Sequence, residues 1–416
     1  MRVLLVGSGA REHALAWKLT QSSLLDSLLL LPGNPGMDDL GDTVEGVAAT
    51  DVGAVATVAA AHNVDLAVIG PEAPLAAGVA DALLRAGVAT FGPSRAAARL
   101  EASKAFAKDV MKRAGVPTAA AAVFTEPTDA LAHIDRVGGP YVVKADGLAA
   151  GKGVLVTEKR SEARAWVERC FEGGFGDAGN RIVIEEFLDG PELSVFAICD
   201  GSRFVTLDPA RDYKRLAERD TGPNTGGMGS YSPVDLPGGL IASVERDIIE
   251  PTLQLMADDA TPYVGFLYVG LALTADGPRV IEFNCRLGDP ETQVVLPRLQ
   301  TDLLALLDAA ASGGLGELDT TWSDGAAVNV VLAADGYPES PREGDVIRGL
   351  ADVTGEVLVF HAGTRRDGKR LLTAGGRVLS VVGMGADSTE ARAAAYAAAE
   401  AITFRGKRFR RDIAAS

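Results

Sequence analysis

Near the amino terminus the chain repeats one pattern, an apolar run of strand length that stops at a glycine or proline loop. "RVLLVGSG" (2–9), "SLLLLPG" (27–33), "VDLAVIGPE" (64–72) and "VATFGPS" (88–94) all have it. Apolar runs with little polar alternation read as strands buried on both faces. The segments between them are rich in alanine, and "REHALAWKL" (11–19) has its apolar positions at helical spacing. Strand, loop and helix in succession predict an open parallel α/β sheet over residues 1–100. Its loops gather at the carboxyl ends of the strands, where such sheets take ligands.

Composition sets the wider bounds. With 416 residues, 47% of them hydrophobic, and a mean hydropathy of +0.14, the chain can fill several cores. At roughly 150 residues per domain, two to four domains are expected. The net charge of −16 opposes a grip on the phosphate backbone of a nucleic acid. A small-molecule substrate fits better. Cys170, Cys199 and Cys285 are too scattered for a disulfide framework or a zinc site, which suits a reducing cytoplasm. The first apolar run is too short for a signal segment or a membrane span, so a soluble cytoplasmic protein without membrane or nucleic-acid partners is expected.

A long helical pattern, "SRAAARLEASKAFAKDVMKRAGV", leads into a central unit over 101–325 and stops at Gly115 and Pro117. Within it, 118–190 reads as a smaller α+β subdomain, expected to be a mobile lid. It has strands at "AAAVF", "YVVKA", "GVLVT" and "IVIEEFL" and one helix near "SEARAWVERCF". Strands return at "ELSVFAICDG", "FVTLDPA", "YVGLALTADG" and "RVIEFNC". Between them "RDYKRLAERDTGPNTGGMGSYSP" (211–233) reads as one long loop, functional or disordered. A small β-rich domain over 326–416 closes the chain. The fold class is α/β and α+β multidomain.

"YVVKADGLAAGKGVLV" (141–156) resembles a P-loop only at first sight. Only three residues separate Gly147 from Gly151, Gly153 rather than Ser or Thr follows Lys152, and the β-branched run that comes next is a strand, not a helix. The element is therefore strand, glycine loop, strand. On its first strand Lys144 shares a face with Val142, and a buried lysine needs a counter-charge. A triphosphate would supply one; a snorkelling edge lysine is the alternative. "GSGAREH" (7–13) stands where a dinucleotide fingerprint would, but Glu12 occupies the third glycine position and no acidic residue ends the second strand. A nicotinamide enzyme is disfavoured. What remains is a helix N-terminus with Arg11, either an anion cradle or a plain turn.

In "VIEFNCRLGDPE" (280–291) the period of a strand places Glu282, Asn284 and Arg286 on one face and Ile281, Phe283 and Cys285 on the other. A carboxylate and an amide oxygen so spaced are the hard donors that Mg²⁺ takes when it also bridges phosphates, and the arginine can neutralise phosphoryl charge. A solvated sheet face is the alternative. "IEEFLDGPE" (184–192) brings Glu185 and Glu186 to a strand end, and "DTGPNTGGMG" (220–229) presents many backbone N–H groups. "FRGKRFRRD" (404–412) reads as a solvated terminal segment without function.

Taken together and in order, "GSGAREHALAWKL", "PGNPG", "GPEAPL", "YVVKADGLAAGKGV", "IEEFLDGPELS", "DTGPNTGGMGSYSP" and "EFNCRLGDPETQVVLPRL" resemble the phosphoribosylamine–glycine ligases of the ATP-grasp superfamily, over essentially the whole chain. The resemblance implies that ATP, glycine and 5-phosphoribosylamine give ADP, phosphate and glycinamide ribonucleotide through a glycyl phosphate. It implies Lys104 and Lys144 on the ATP phosphates, with Gly147, Gly151, Lys152 and Gly153 in a loop over them. Adenine would meet Glu185, Glu186, Phe187 and Leu188, and Glu192 the ribose. Glu282 and Asn284 would hold Mg²⁺ (or Mn²⁺), and Arg286, Lys214 and Asp212 would be catalytic. Gly9, Arg11, Glu12, Asn34, Glu72, Asn224, Thr225, Gly226 and Asp289 would line the substrate pocket of a monomeric enzyme. Two departures are Tyr213, where the family usually has histidine, and Gly270, where many ATP-grasp enzymes place a further metal carboxylate. A biotin-carboxylase-like ligase and a nucleotide-binding regulator without chemistry are the rival readings.

Overall fold

In the computed structural model, which describes residues 1–149, 153–316 and 318–415, the amino-terminal pattern folds into a five-stranded parallel sheet. Its strands are β1 (Arg2–Gly7), β2 (Ser27–Pro32), β3 (Asp42–Thr43), β4 (Leu66–Ile69) and β5 (Ala89–Phe91), in the order β3-β2-β1-β4-β5. β1 and β4 are buried on both faces, which is why their sequences run apolar without alternation. Helices α1 (Ala10–Leu19), α2 (Val52–Ala61), α3 (Glu72–Ala77) and α4 (Val79–Arg85) flank the sheet. Because β1 lies between β2 and β4, the loops after these three strands meet at one crevice.

The long helical pattern before residue 116 is two helices, α5 (Arg99–Ala102) and α6 (Lys104–Ala114), rather than the single helix expected. Ser103 separates them in an extended conformation (φ −141°, ψ 111°), and its hydroxyl caps α6 by accepting the Phe106 N–H at 3.1 Å. Asp146, from the glycine loop, takes the Ala105 N–H at 3.0 Å. The break is thus fixed by a cap and by a carboxylate distant in sequence. It turns Glu101 and Lys104 toward the same side.

The smaller subdomain is a four-stranded antiparallel sheet of β6 (Ala121–Phe124), β7 (Tyr141–Ala145), β8 (Val154–Thr157) and β9 (Ile182–Glu185), ordered β6-β9-β7-β8. Two helices cover it: α8 (Arg160–Arg169), as expected, and α7 (Pro127–Arg136), which the sequence reading passed over. Tyr141, Val143 and Ala145 pack with Ile134 and Val167 in a core of its own. Val142 and Lys144 face the other way.

The remaining strands build an eight-stranded sheet. They are β10 (Glu192–Asp200), β11 (Phe204–Asp212), β14 (Gly229–Ser232), β15 (Val264–Thr274), β16 (Gly277–Asn284), β17 (Ala326–Ala333), β18 (Val357–His361) and β21 (Arg377–Gly385). The order is β16-β15-β10-β11-β14-β17-β21-β18, so the sheet runs on past residue 326. The segment 211–233 is therefore not one loop. It contains a small hairpin, β12 (Arg215–Ala217) with β13 (Thr221–Asn224), and then β14, whose four residues join the central strands to the carboxyl-terminal ones. A second hairpin, β19 (Thr364–Asp367) with β20 (Arg370–Thr373), lies outside the sheet.

One register detail corrects the expected faces of β16. Gly270 pairs with Glu282, but Leu271 pairs with Val280, so Ile281 is a bulge. The extra residue puts Val280 in the core beside Phe283 and Cys285, and turns Ile281 onto the cavity side with Glu282 and Asn284.

Candidate active site

A cavity of about 500 Å³ opens where the four-stranded sheet, the eight-stranded sheet and the carboxyl-terminal edge of the first sheet meet. One end is built on lysines. Lys144, buried on β7, pairs with Glu185 on the neighbouring strand β9 at 2.9 Å and donates to the Ile281 carbonyl at 3.1 Å. Lys108 approaches the same Glu185 oxygen at 3.3 Å, so one carboxylate serves both lysines and supplies the counter-charge that buried Lys144 needs. The second oxygen of Glu185 is buried and has no hydrogen-bond partner. Burial pushes Lys108 down to about 8, against the pull of Glu185. Lys104, the first residue of α6, donates to the Gly147 carbonyl at 3.0 Å and is also lowered by burial, Glu282 opposing.

The opposite end is built on arginines matched to carboxylates. Arg286 donates to Glu101 at 2.8 Å and lies 3.4 Å from Glu72. Glu101 also accepts the Cys285 N–H at 2.8 Å, tying α5 to the end of β16. Burial raises the Glu101 carboxyl despite Arg286. Arg11 reaches Glu72 at 3.8 Å. Asp289 is held by Arg377 of β21 at 3.0 Å and by the Gln293 amide at 2.8 Å.

Between the two ends stand Glu282, Asn284, Asp212, Lys214 and Glu192. Burial opposes the charge of Glu282, but Lys214, Lys144, Lys104 and Arg286 outweigh it and hold the carboxyl below the usual range. Burial pushes Asp212 up to about 7; Glu291 and Glu192 add to this and Lys214 opposes it. Lys214 ion-pairs with Glu192, and the two acids raise it well above an ordinary lysine although burial works the other way. Glu291, raised by burial, accepts the Ser194 hydroxyl at 3.0 Å, with the Tyr268 hydroxyl 3.0 Å beyond.

The structure brings together Lys104, Lys144, Gly147, Gly153, Glu185, Glu186, Phe187, Leu188, Glu192, Asp212, Lys214, Glu282, Asn284 and Arg286 around this cavity. Arg11, Glu72, Asn224, Thr225, Gly226 and Asp289 join them. Gly151 and Lys152 lie outside the described residues. Gly9, Glu12 and Asn34 do not line it. The Asn34 amide is spent on the Ser8 and His361 carbonyls, both at 2.9 Å, and its oxygen on the Gly36 N–H. Glu12 folds back onto the Gly9 N–H at 2.7 Å and onto Arg11 at 2.6 Å. A Cβ at Gly7 or Gly70 would stand 2.3 or 2.4 Å from its side chain, so those glycines make room for Glu12 rather than for a dinucleotide.

Polar or charged cavity residues to which the sequence assigned no role are Glu101, Lys108, Tyr268, Glu291 and Arg377. Glu291 lay within a quoted motif; the others had no sequence signal beyond a charge or a ring at helical or strand spacing.

Models of the phosphoribosylglycinamide synthetase family match the chain in three parts: the N domain over 1–101, the ATP-grasp (A) domain over 102–292 and the C domain over 327–416. The chain belongs to this family. It is 49% identical to the phosphoribosylamine–glycine ligase of Mesorhizobium japonicum over 99% of its length and 97% of that protein's. Against the Streptomyces coelicolor enzyme of the same name the figures are 51%, 100% and 99%. The crystal structure of the Thermotoga maritima phosphoribosylamine–glycine ligase superposes with a TM-score of 0.88 at 37% identity, covering both chains fully. The Campylobacter jejuni biotin carboxylase matches at a TM-score of 0.74 but 15% identity, over 98% of this chain and 92% of that one. This second likeness concerns the fold alone.

Proposed function

We infer that the protein joins glycine to 5-phosphoribosylamine at the expense of ATP, giving glycinamide ribonucleotide, ADP and phosphate in purine biosynthesis. The observation that carries the reading is one cavity with a lysine end suited to a polyphosphate and an arginine–carboxylate end suited to a zwitterion. In this reading Lys104 and Lys144 hold the ATP phosphates. The Glu186–Leu188 backbone meets adenine, Glu192 the ribose, and the loop from Gly147 to Gly153 covers the phosphates. The 118–190 unit, with a core of its own, acts as the lid.

The glycine carboxylate attacks the γ-phosphorus, the bond to the β-phosphate oxygen breaks, and ADP leaves. In this reading Arg286 offsets charge on the phosphoryl oxygens, and this, with positioning, is most of what phosphoryl transfer requires. The amine of phosphoribosylamine then attacks the acyl carbon. The C–N bond forms, phosphate departs, and the amine proton passes to Asp212, whose value near 7 suits a general base. Lys214, Asn224, Thr225, Gly226, Asp289, Arg11 and Glu72 surround the two substrates.

Glu282, kept ionised by its cationic neighbours, and Asn284 fit a hard divalent ion. Among the described residues no group of three or more His, Cys, Asp or Glu side chains is placed to hold a metal ion. Mg²⁺ or Mn²⁺ held there by Glu282 and Asn284 would neutralise charge on the transferring phosphoryl group.

Among the described residues no helix is long and apolar enough to cross a membrane. Together with three buried free cysteines and the acidic charge, this favours a cytoplasmic enzyme of small molecules. The deciding assay is ADP release by purified protein with Mg²⁺, glycine and freshly made phosphoribosylamine. Silence there, with turnover on bicarbonate and biotin, overturns the reading.

A further inference from the structure

The basic segment 404–412, expected to be solvated, contains one of the most deeply buried charges of the molecule. The Arg410 side chain is 1% exposed, and burying a guanidinium demands partners for its N–H groups. Those partners lie on the β12–β13 hairpin and in the tail itself. Arg410 Nη1 donates to the Arg215 carbonyl at 3.1 Å, at the hairpin's base, and to Asp220 at 2.8 Å, at its tip. Nε and Nη2 form a two-pronged bond to Asp412 at 2.8 and 2.7 Å. Asp412 in turn accepts the Arg219 N–H at 2.8 Å, in the hairpin turn. The guanidinium lies 4.9 Å from the centre of the Tyr213 ring, and the Tyr213 hydroxyl accepts the Ala414 N–H at 2.9 Å. The tail is itself anchored, since Tyr396 of the terminal helix donates to the Arg410 carbonyl at 2.8 Å and accepts the Ile413 N–H at 3.0 Å.

The clamped hairpin has cavity residues on both of its ends. Lys214 precedes β12, and Asn224, Thr225 and Gly226 close β13 and follow it. Thr225 closes the base by donating both its N–H and its hydroxyl to the Lys214 carbonyl, each at 2.8 Å. Arg410 lies outside the cavity, so any effect it has on the reaction passes through the hairpin.

We propose that Arg410, with Asp412, is a positioning residue that fixes Lys214 and the Asn224–Gly226 loop for the acceptor half of the reaction. The proposal rests on the ligase reading above. Misplacing positioned groups by about 1 Å costs on the order of 100-fold in rate. For Arg410→Met in the full chain we therefore expect kcat/KM for glycine and phosphoribosylamine to fall by about 10- to 100-fold. ADP affinity by calorimetry should stay close to that of the wild type, and amide hydrogen exchange should quicken over 214–226. Arg410→Lys keeps the charge but not the planar fork, and should recover only part of the loss. Asp220→Asn alters an exposed side chain at the hairpin tip, so it tests the same tie without a buried cavity; a smaller fall in the same direction is expected. The proposal is overturned if ADP affinity falls in step with activity, if activity falls while exchange of 214–226 is unchanged, or if a loosened hairpin leaves kcat/KM intact. Should Arg410→Met not fold, Asp220→Asn decides between the same outcomes. A wild-type chain that fails to ligate glycine refutes the ligase reading instead, and the exchange measurement still reports whether Arg410 holds the hairpin.

Discussion

The two ends of the cavity balance charge in opposite ways. At the lysine end Lys104, Lys108 and Lys144 face Glu185, a surplus of positive charge that burial makes costly without a ligand. At the other end Arg11, Arg286 and Arg377 are interleaved with Glu72, Glu101 and Asp289, and little charge is left over. A surplus attracts any polyanion. A balanced lattice instead admits a ligand that replaces its internal pairs with equivalent ones, as an amino acid does. General attraction thus resides at one end and discrimination at the other.

The most severe way to break this division is to remove the group between the ends. Glu282→Ala should cut turnover on the order of 10³-fold, as loss of a key charge-stabilising group does, while ADP binding in the absence of metal largely survives. Near-normal turnover would place the metal elsewhere. Next in size is Asp212→Asn. kcat/KM should rise with pH through about 7 in the wild type as Asp212, which Glu291 helps to keep protonated, loses its proton. The variant should lose that limb and fall by about 10²-fold at neutral pH, the usual contribution of a general base. A pH profile unchanged by the substitution would exclude Asp212 as the base.

Lys144→Met tests the surplus itself. ATP affinity should drop by about 10-fold or more, the worth of a charge-assisted hydrogen bond, with KM for glycine little changed. A rise in the glycine KM of equal size would show that the ends are not separable. The smallest effect concerns acid. His13 accepts the His361 N–H at 2.9 Å where the first sheet meets β18, and burial lowers both rings, to about 3 and about 4. Below their ordinary value near 6.5 the unfolded chain takes up protons that the folded one does not, so stability present above that pH is lost as pH falls. At pH 5 the loss is about 2 kcal/mol for each ring, measurable by denaturant titration and absent for the altered ring in His13→Asn.

What the sequence disclosed divides along similar lines. Lys144, the hairpin around it and the Glu282–Asn284 pair were legible because each depends on local periodicity. The Ser103 break was signalled by a good capping residue, yet Asp146 secures it from the glycine loop. The Ile281 bulge had no signal, since a strand's period says nothing of its partner's register. Glu101, Arg377 and Arg410 take their meaning from groups more than eighty residues away in the chain. Gly270 borders Glu282 in the sheet, and a Cβ there would stand 3.3 Å from the Glu282 side chain, a crowding visible only once the strands are paired.

The placement of β14 between β11 and β17 bears on how the molecule is put together. Four residues from the middle of the chain form the seam of one sheet, and the ladder on their far side waits for strands made last. A chain released before residue 326 would present β14 as a bare edge, its N–H and C=O groups open to any extended segment that came near. The last ninety or so residues therefore also close a surface through which incomplete copies would aggregate.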